Sequence, residues 1–282
     1  MTNWDFPCSE PIDVSINNWL SGSVAVSGEP TSSIEVEIVA AHHRADIDEL
    51  LAEVRVGFED GRLFIHGPRH ANYRRRDGMD LTIKVPAGST CTARTASADV
   101  SCVGELGALT VQTASGDVTA ATVTGELAAN TASGDVMIRN AGAATIHTAS
   151  GDVQMTRVDG DARINTASGD VSVGQCGGSV DVHTASGDIG LGAVSSGTVE
   201  LISVSGDIDV AVVPGIGVYM DLVSTSGSIR PDLDSADGDE SDAAVEIKCR
   251  TLSGDIRVFK ARRTSSSNAN NGHTTAVATT EE

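Results

Sequence analysis

The sequence predicts an all-β protein: a parallel β-solenoid with about 18 residues per coil and one short helix in an irregular N-terminal cap. Three observations predict it. Thr-Ala-Ser-Gly-Asp recurs at Thr113, Thr131, Thr148, Thr166 and Thr184, after a Thr-Ala-Ser-Ala-Asp at Thr95, in steps of 18, 18, 17, 18 and 18 residues. The positions around each copy form apolar columns that alternate with polar residues at period two, the pattern of a half-buried strand. Rings are scarce, with 3% aromatic residues, so the core must be built from Val, Ile, Leu and Ala in many thin, similar layers.

Taking the pentapeptide Thr as zero, position −2 carries Ala93, Val111, Ala129, Ile146, Ile164, Val182, Leu201, Leu222 and Cys249, and position +5 carries Val100, Val118, Val136, Val153, Val171, Ile189, Ile208, Ile229 and Ile256. The last three copies are degenerate, at Ser203, Ser224 and Thr251, and their steps of 19, 21 and 27 residues read as loops inserted between consecutive coils. Between the columns the inward face slips by one residue, which marks a corner. A second corner follows Val123, Val158, Cys176 and Val194. One coil cannot bury its own apolar face. Each buried Val or Ile contributes roughly 1.5–3 kcal/mol, against an ordering cost of roughly 1–2 kcal/mol per residue, so coils must stack to be stable.

The corner residues are Ser115, Gly116 and Asp117; Ser133, Gly134 and Asp135; Ser150, Gly151 and Asp152; Ser168, Gly169 and Asp170; and Ser186, Gly187 and Asp188. Gly suits a left-handed or otherwise strained corner, and Asp suits a side chain that accepts a nearby backbone N–H. Parity turns both Thr and Ser inward and Ala outward. The repeat therefore reads as structural. A column of aspartates also invites cations such as calcium, but the dense Gly-Gly-x-Gly-x-Asp spacing of calcium-binding rolls is missing.

The remaining segments follow in order. Residues 1–90 form the cap and the first coils, with strand-like runs in PIDVSI, GSVAVS, SIEVEIV and DLTIKVP. Asp46 caps a short amphipathic helix carrying Ile47, Leu50, Leu51 and Val54, and Asp60-Gly61 turns a hairpin. Residues 91–260 are the regular coils, interrupted by an acidic loop at 232–242, and residues 261–282 form a polar tail expected to be disordered. The four arginines of Arg69–Arg76 read as a solvated loop.

A net charge of −20 argues against nucleic acid, which needs a basic face. The five cysteines, Cys8, Cys91, Cys102, Cys176 and Cys249, form no CxxC pair, so neither a disulfide framework nor a zinc site is expected. No run of about 18 apolar residues would cross a membrane. No targeting or anchor signal is visible, so a cytoplasmic location is expected. No cofactor, metal site or catalytic cluster is expected. The expected partner is a protein of unknown identity, and a homo-oligomer is open to the fold.

Thr-x-Ser-Gly-Asp-Val at 17–19 residues, following DLTIKVPAGS, resembles the bacterial putative-adhesin family, a domain of unknown function built of tandem β-strand repeats, over most of residues 12–260. The expected function is a non-enzymatic scaffold or protein-interaction module, and the resemblance implies a tie to the bacterial cell envelope or its stress response. The alternatives are a glycan-binding adhesin and a polysaccharide-active enzyme, the latter needing clustered carboxylates outside the columns.

Overall fold

Each repeat supplies one strand to each of two facing sheets, and the columns read from the sequence are the rungs between them. The computed structural model describes residues 2–40, 51–68, 78–233 and 244–261. Through the middle of the chain, strands alternate between faces: β8 (Thr90–Thr95), β9 (Asp99–Leu106), β10 (Ala108–Gln112), β11 (Val118–Thr131), β12 (Val136–Thr148), β13 (Val153–Val158), β14 (Ala162–Ser168), β15 (Val171–Cys176), β16 (Val180–Ser186), β17 (Ile189–Val194), β18 (Gly197–Ser205) and β19 (Ile208–Val212). One face carries β8, β10, the C-terminal halves of β11 and β12, β14, β16 and β18 in parallel register; we call it face A. Face B carries β9, the N-terminal halves of β11 and β12, β13, β15, β17 and β19. The fold is an all-β, solenoid-like stack of coils. Val118, Val136, Val153, Val171, Ile189 and Ile208 are all buried, as are the opposing Val111, Ala129, Ile146, Ile164, Val182 and Leu201. At the second corner Val123, Ala141, Val158, Cys176 and Val194 follow one another in register and are buried too.

The ends depart from consecutive stacking. After β19 come β20 (Val218–Ser226), β21 (Ile229–Asp232), β22 (Val245–Ser253) and β23 (Ile256–Lys260). It is β22 that lies on β18, and β20 lies beyond it; likewise β23 lies on β19, with β21 beyond. The last coil in sequence is therefore the penultimate coil in space. The lengthened steps are not simple loops between neighbours: the chain skips one layer and returns to fill it.

The N-terminus mirrors this arrangement. β2 (Asp13–Trp19) lies between β6 (Arg62–His66) and β8, and β3 (Gly22–Glu29) lies between β7 (Met79–Pro86) and β9. Antiparallel strands close this end: β1 (Thr2–Pro7) on β4 (Ser33–Ala40), β4 on β7, and β5 (Arg55–Glu59) on β6. Asp60 and Gly61, at φ 48° and 73°, make the tight β5–β6 turn, a type I′ arrangement whose twist suits a hairpin. Of the expected helix, Leu51–Glu53 is helical and Val54 is buried; Ile47 and Leu50 lie outside the described residues, as do the arginines of 69–76 and most of the acidic loop.

The sequence reading missed the largest core side chain. Trp19 is fully buried and its Nε1 donates to the Met79 carbonyl at 3.0 Å. Simple alternation from Ile16 turns Asn18 inward and Trp19 out. A bulge intervenes instead: Asn18 sits at φ 59°, the ladder to β8 shifts between Ile16 and Trp19, and Trp19 takes the rung occupied by Thr95 in the next coil.

Burial also sets the chemistry of the cysteines, all of which are unpaired. It pushes the Cys91 and Cys249 thiols up to about 12 and raises those of Cys102 and Cys176. A thiol with a raised folded-state value stabilises the fold fully below its ordinary value of 9.0, and that stability is lost as pH rises through the folded value. The native chain should therefore expose one fast thiol, Cys8, to an aromatic disulfide reagent at pH 8. The other four should react only on unfolding, and stability should fall between pH 9 and 12.

Candidate functional site

The most repeated chemistry in the chain is the Thr-x-Ser-Gly-Asp corner. Ser115–Asp117 lies between β10 and β11, Ser133–Asp135 between β11 and β12, and Ser150–Asp152 between β12 and β13; Ser168 and Ser186 end β14 and β16, followed by Gly169-Asp170 and Gly187-Asp188. These triplets stand above one another along one edge of the stack.

Three features of this edge differ from the parity reading. First, the serines face out: Ser133, Ser150, Ser168 and Ser186 are exposed and Ser115 is half-exposed, because the alternation breaks after Thr, where the ladder skips the Ala pair and resumes at Ser168 and Ser186. Only the Thr column, Thr113, Thr131, Thr148, Thr166 and Thr184, is buried. Second, the strained positive φ expected of the corner occurs at Gly169 and Gly187, at 158° and 152°, but not at Gly116, Gly134 or Gly151, and what all five share is a close approach between coils. A Cβ on Gly134, Gly151, Gly169 or Gly187 would run into the backbone carbonyl of the glycine in the preceding coil. Third, the carboxylates bond between coils rather than within a turn. The N–H groups of Asp117, Asp135, Asp152, Asp170, Asp188 and Asp207 donate to Oδ1 of the aspartate one coil earlier, at 2.8–3.0 Å. The ladder continues from Asp255 N–H to Asp207 and from Ser228 N–H to Asp255, both at 2.8 Å. A hydrogen bond to a carboxylate contributes about 1.5–3 kcal/mol, more than the roughly 0.8 kcal/mol of repulsion between exposed charges one rung apart, so the ladder outweighs the repulsion between neighbouring carboxylates. Among the described residues no group of three or more His, Cys, Asp or Glu is arranged to hold a metal ion.

The Thr column is unevenly satisfied. Thr113 and Thr131 accept the N–H of Gly116 and Gly134 at 3.1 and 3.0 Å, whereas the buried hydroxyls of Thr148, Thr166 and Thr184 have no partner among the described residues. Thr166→Val should therefore stabilise the protein by about 1 kcal/mol, while Thr131→Val should cost about 1–2 kcal/mol by stranding the buried Gly134 N–H. Denaturant titration of the two variants reads the difference.

The corner therefore binds coil to coil, and the free chemistry lies on the outer faces. Face A carries a polar column of Arg94, Gln112, Asn130, His147, Asn165 and His183, in which Arg94 bonds Gln112 at 3.2 Å and Asn17 at 3.1 Å. His147 and His183 stand two coils apart with Asn165 between them, and His183 meets Asp181 at 3.1 Å. Face B has an open, shallow depression of about 320 Å³, lined among others by Val103, Thr119, Met137, Arg139 and Thr156, where the β9–β11 ladder shifts register. It gathers no carboxylate pair. The apolar surface gathers at the C-terminal end: of nine exposed large apolar side chains among the described residues, six (Val204, Tyr219, Val223, Ile229, Leu252 and Phe259) lie on the last three coils. Val204 and Leu252, 48% and 58% exposed, are on adjacent rungs of face A, with Ile202 and Val223 beside them. Nothing in the regular repeat signals this patch. Its sign in the sequence is the replacement of the outward Ala by Val204 and Leu252.

No helix among the described residues is long and apolar enough to cross a membrane. Comparison with curated proteins finds no match. Among solved structures, a putative adhesin from Bacteroides fragilis matches at 12% identity and a TM-score of 0.50, over 91% of this chain and 96% of that one. A putative adhesin and a putative lipid binding protein from Parabacteroides distasonis match at 13% and 16% identity, with TM-scores of 0.47 and 0.44, over 91% and 92% of this chain and 96% of each of theirs. At 12% identity the likeness to the Bacteroides fragilis structure is one of fold alone. The family model described as Toastrack DUF4097 matches residues 14–259, most of the chain and nearly all of the coil stack. The chain belongs to the DUF4097 Toastrack family.

Proposed function

We propose that this protein is a non-enzymatic β-solenoid scaffold that docks a protein partner against the outer side of its C-terminal coils. The observation that carries this reading is the run of Val204, Leu252, Val223 and Ile202 on neighbouring rungs of face A, where the other coils place Ala, amides and imidazoles. A contiguous exposed apolar patch with a polar surround is the signature of an interaction site. Arg250, paired with Asp221 at 3.4 Å, stands between Ile202 and Val223 and adds the polar handle such interfaces favour. The family resemblance supports seeking that partner at the bacterial cell envelope or in its stress response. The five unpaired cysteines support a reducing, cytoplasmic compartment.

The test is affinity capture from the native host with the intact protein and with a Val204→Lys/Leu252→Lys variant of unchanged melting temperature. Partners bound by the wild type and lost by the variant support the proposal. Equal capture by both, or saccharide binding without protein capture, contradicts it.

A further inference from the structure

We infer that the C-terminal end of the stack is a self-association surface, on which β20 pairs antiparallel with β20 of a second copy of this chain. The two ends of the molecule are finished differently. At the N-terminal end Phe6 of β1 and Phe58 of β5 meet with ring centroids 5.7 Å apart, and Trp4 and Val56 pack on the core beside them. A ring-poor chain thus uses three of its six Phe and Trp side chains there. At the C-terminal end the outermost strands are β20 and β21, each paired on one side only among the described residues. Their inward positions carry the usual apolar residues, but Val218, Met220 and Leu222 are only partly buried, and Ile229 is 40% exposed where its column mates in the coils below are buried. A row of unpaired backbone groups beside unburied apolar side chains is a template for another strand.

The stack indicates which strand. From β8 onward each coil stacks on a coil with the same inward alternation of apolar residues, so the end coil of a second copy offers an apolar face of the same period. Head-to-tail stacking is blocked by the ring-capped, antiparallel N-terminal end and would propagate into a filament. Two C-terminal ends related by a two-fold axis close on themselves. On face B, Pro231 in β21 has no N–H to offer, so pairing falls to β20.

Side-chain alternation selects the register. Centring the two-fold on Asp221 sets two carboxylates opposite each other, which is unfavourable. Centring it on Met220 sets Met220 against Met220, Val218 against Leu222 of the second copy, and Tyr219 against Asp221, so apolar meets apolar along the inward face. The opposing force is the net charge of −20 on each copy. That repulsion is screened over about 10 Å at 0.1 M salt and about 3 Å at 1 M, so the dimer should strengthen as salt rises.

Sedimentation equilibrium of the full chain at 0.05 and 0.5 M NaCl tests this. The expected result is a monomer–dimer equilibrium shifted toward dimer by salt. Met220→Lys should weaken it at least tenfold, while Val103→Lys on face B and Val204→Lys/Leu252→Lys leave it unchanged, which separates this surface from the partner-docking patch. Should Met220→Lys fail to fold, Met220→Cys serves. Oxidised glutathione should join the two introduced thiols across the axis, with two electrons and two protons passing to the oxidant, and a covalent dimer should appear on a non-reducing gel; Val103→Cys should give none. A monomer at every concentration and salt, or a dimer unaffected by Met220→Lys, overturns the inference. The first result would point to residues 234–243 or 262–282 as the cover of this end.

Discussion

Val171→Asp is expected to lose cooperative unfolding or to melt far below the wild type. Val171 is 1% exposed and stands in register between Val153 and Ile189 in the middle of face B. The substitution removes a buried apolar side chain and leaves a carboxyl group facing aliphatic rungs with no hydrogen-bond partner. The combined cost is about 4 kcal/mol or more, a large share of the roughly 5–15 kcal/mol that holds a typical protein folded. Because each coil touches only its neighbours, the damage should split the stack rather than stay at one end. Asn165→Asp, on the outward side of β14, should change stability by less than about 0.5 kcal/mol. Circular dichroism melts of the two variants check the pair, and equal melting temperatures would contradict the column assignment.

Trp19→Ala is expected to cost about 3–5 kcal/mol, the usual range for truncating a fully buried Trp. The loss should be local in origin. Trp19 lies where β2 is slotted between β6 and β8, and its indole N–H holds the Met79 carbonyl at the start of β7. Its removal opens a cavity at that junction and leaves a backbone acceptor short of a partner. Hydrogen exchange should quicken first in β2, β6 and β7, with β13 to β17 protected longest. Uniform loss of protection along the whole stack would count against the junction as the weak point.

The middle of the fold was legible because each of its rungs is written in the sequence. Columns such as Val136, Val153 and Val171 repeat with a fixed phase, and a fixed phase over many copies leaves one way to stack them. The ends were not legible in the same way. Consecutive and interleaved stacking bury the same columns, so the apolar pattern of β20 to β23 does not tell them apart. One residue did carry the answer. The copy at Ser224 has Ser228 where the others have Asp, and Ser228 donates to Asp255 with no further coil among the described residues to receive from. An aspartate is needed only where another coil follows, so its loss marks the outermost rung. The Trp19 bulge was hidden for a different reason: one Asn in a left-handed conformation reverses the alternation that strand patterns rely on. The interaction surface was the least visible, because outward positions vary freely and Val204 and Leu252 gain meaning only when β22 is known to lie on β18.

Cysteine pairs on the outward column test the interleaved order of the last three coils. Val204 and Leu252 occupy adjacent rungs, about 4.8 Å apart, whereas Val204 and Thr225 are separated by the whole of the β22 rung, about 10 Å. A disulfide requires Cα atoms within about 7 Å. Under mild oxidation, Val204→Cys/Leu252→Cys should close an intramolecular disulfide in the native monomer, and Val204→Cys/Thr225→Cys should not. The opposite result, with position 204 bridging to 225 and not to 252, would show coils stacked in sequence order and contradict the interleaved end.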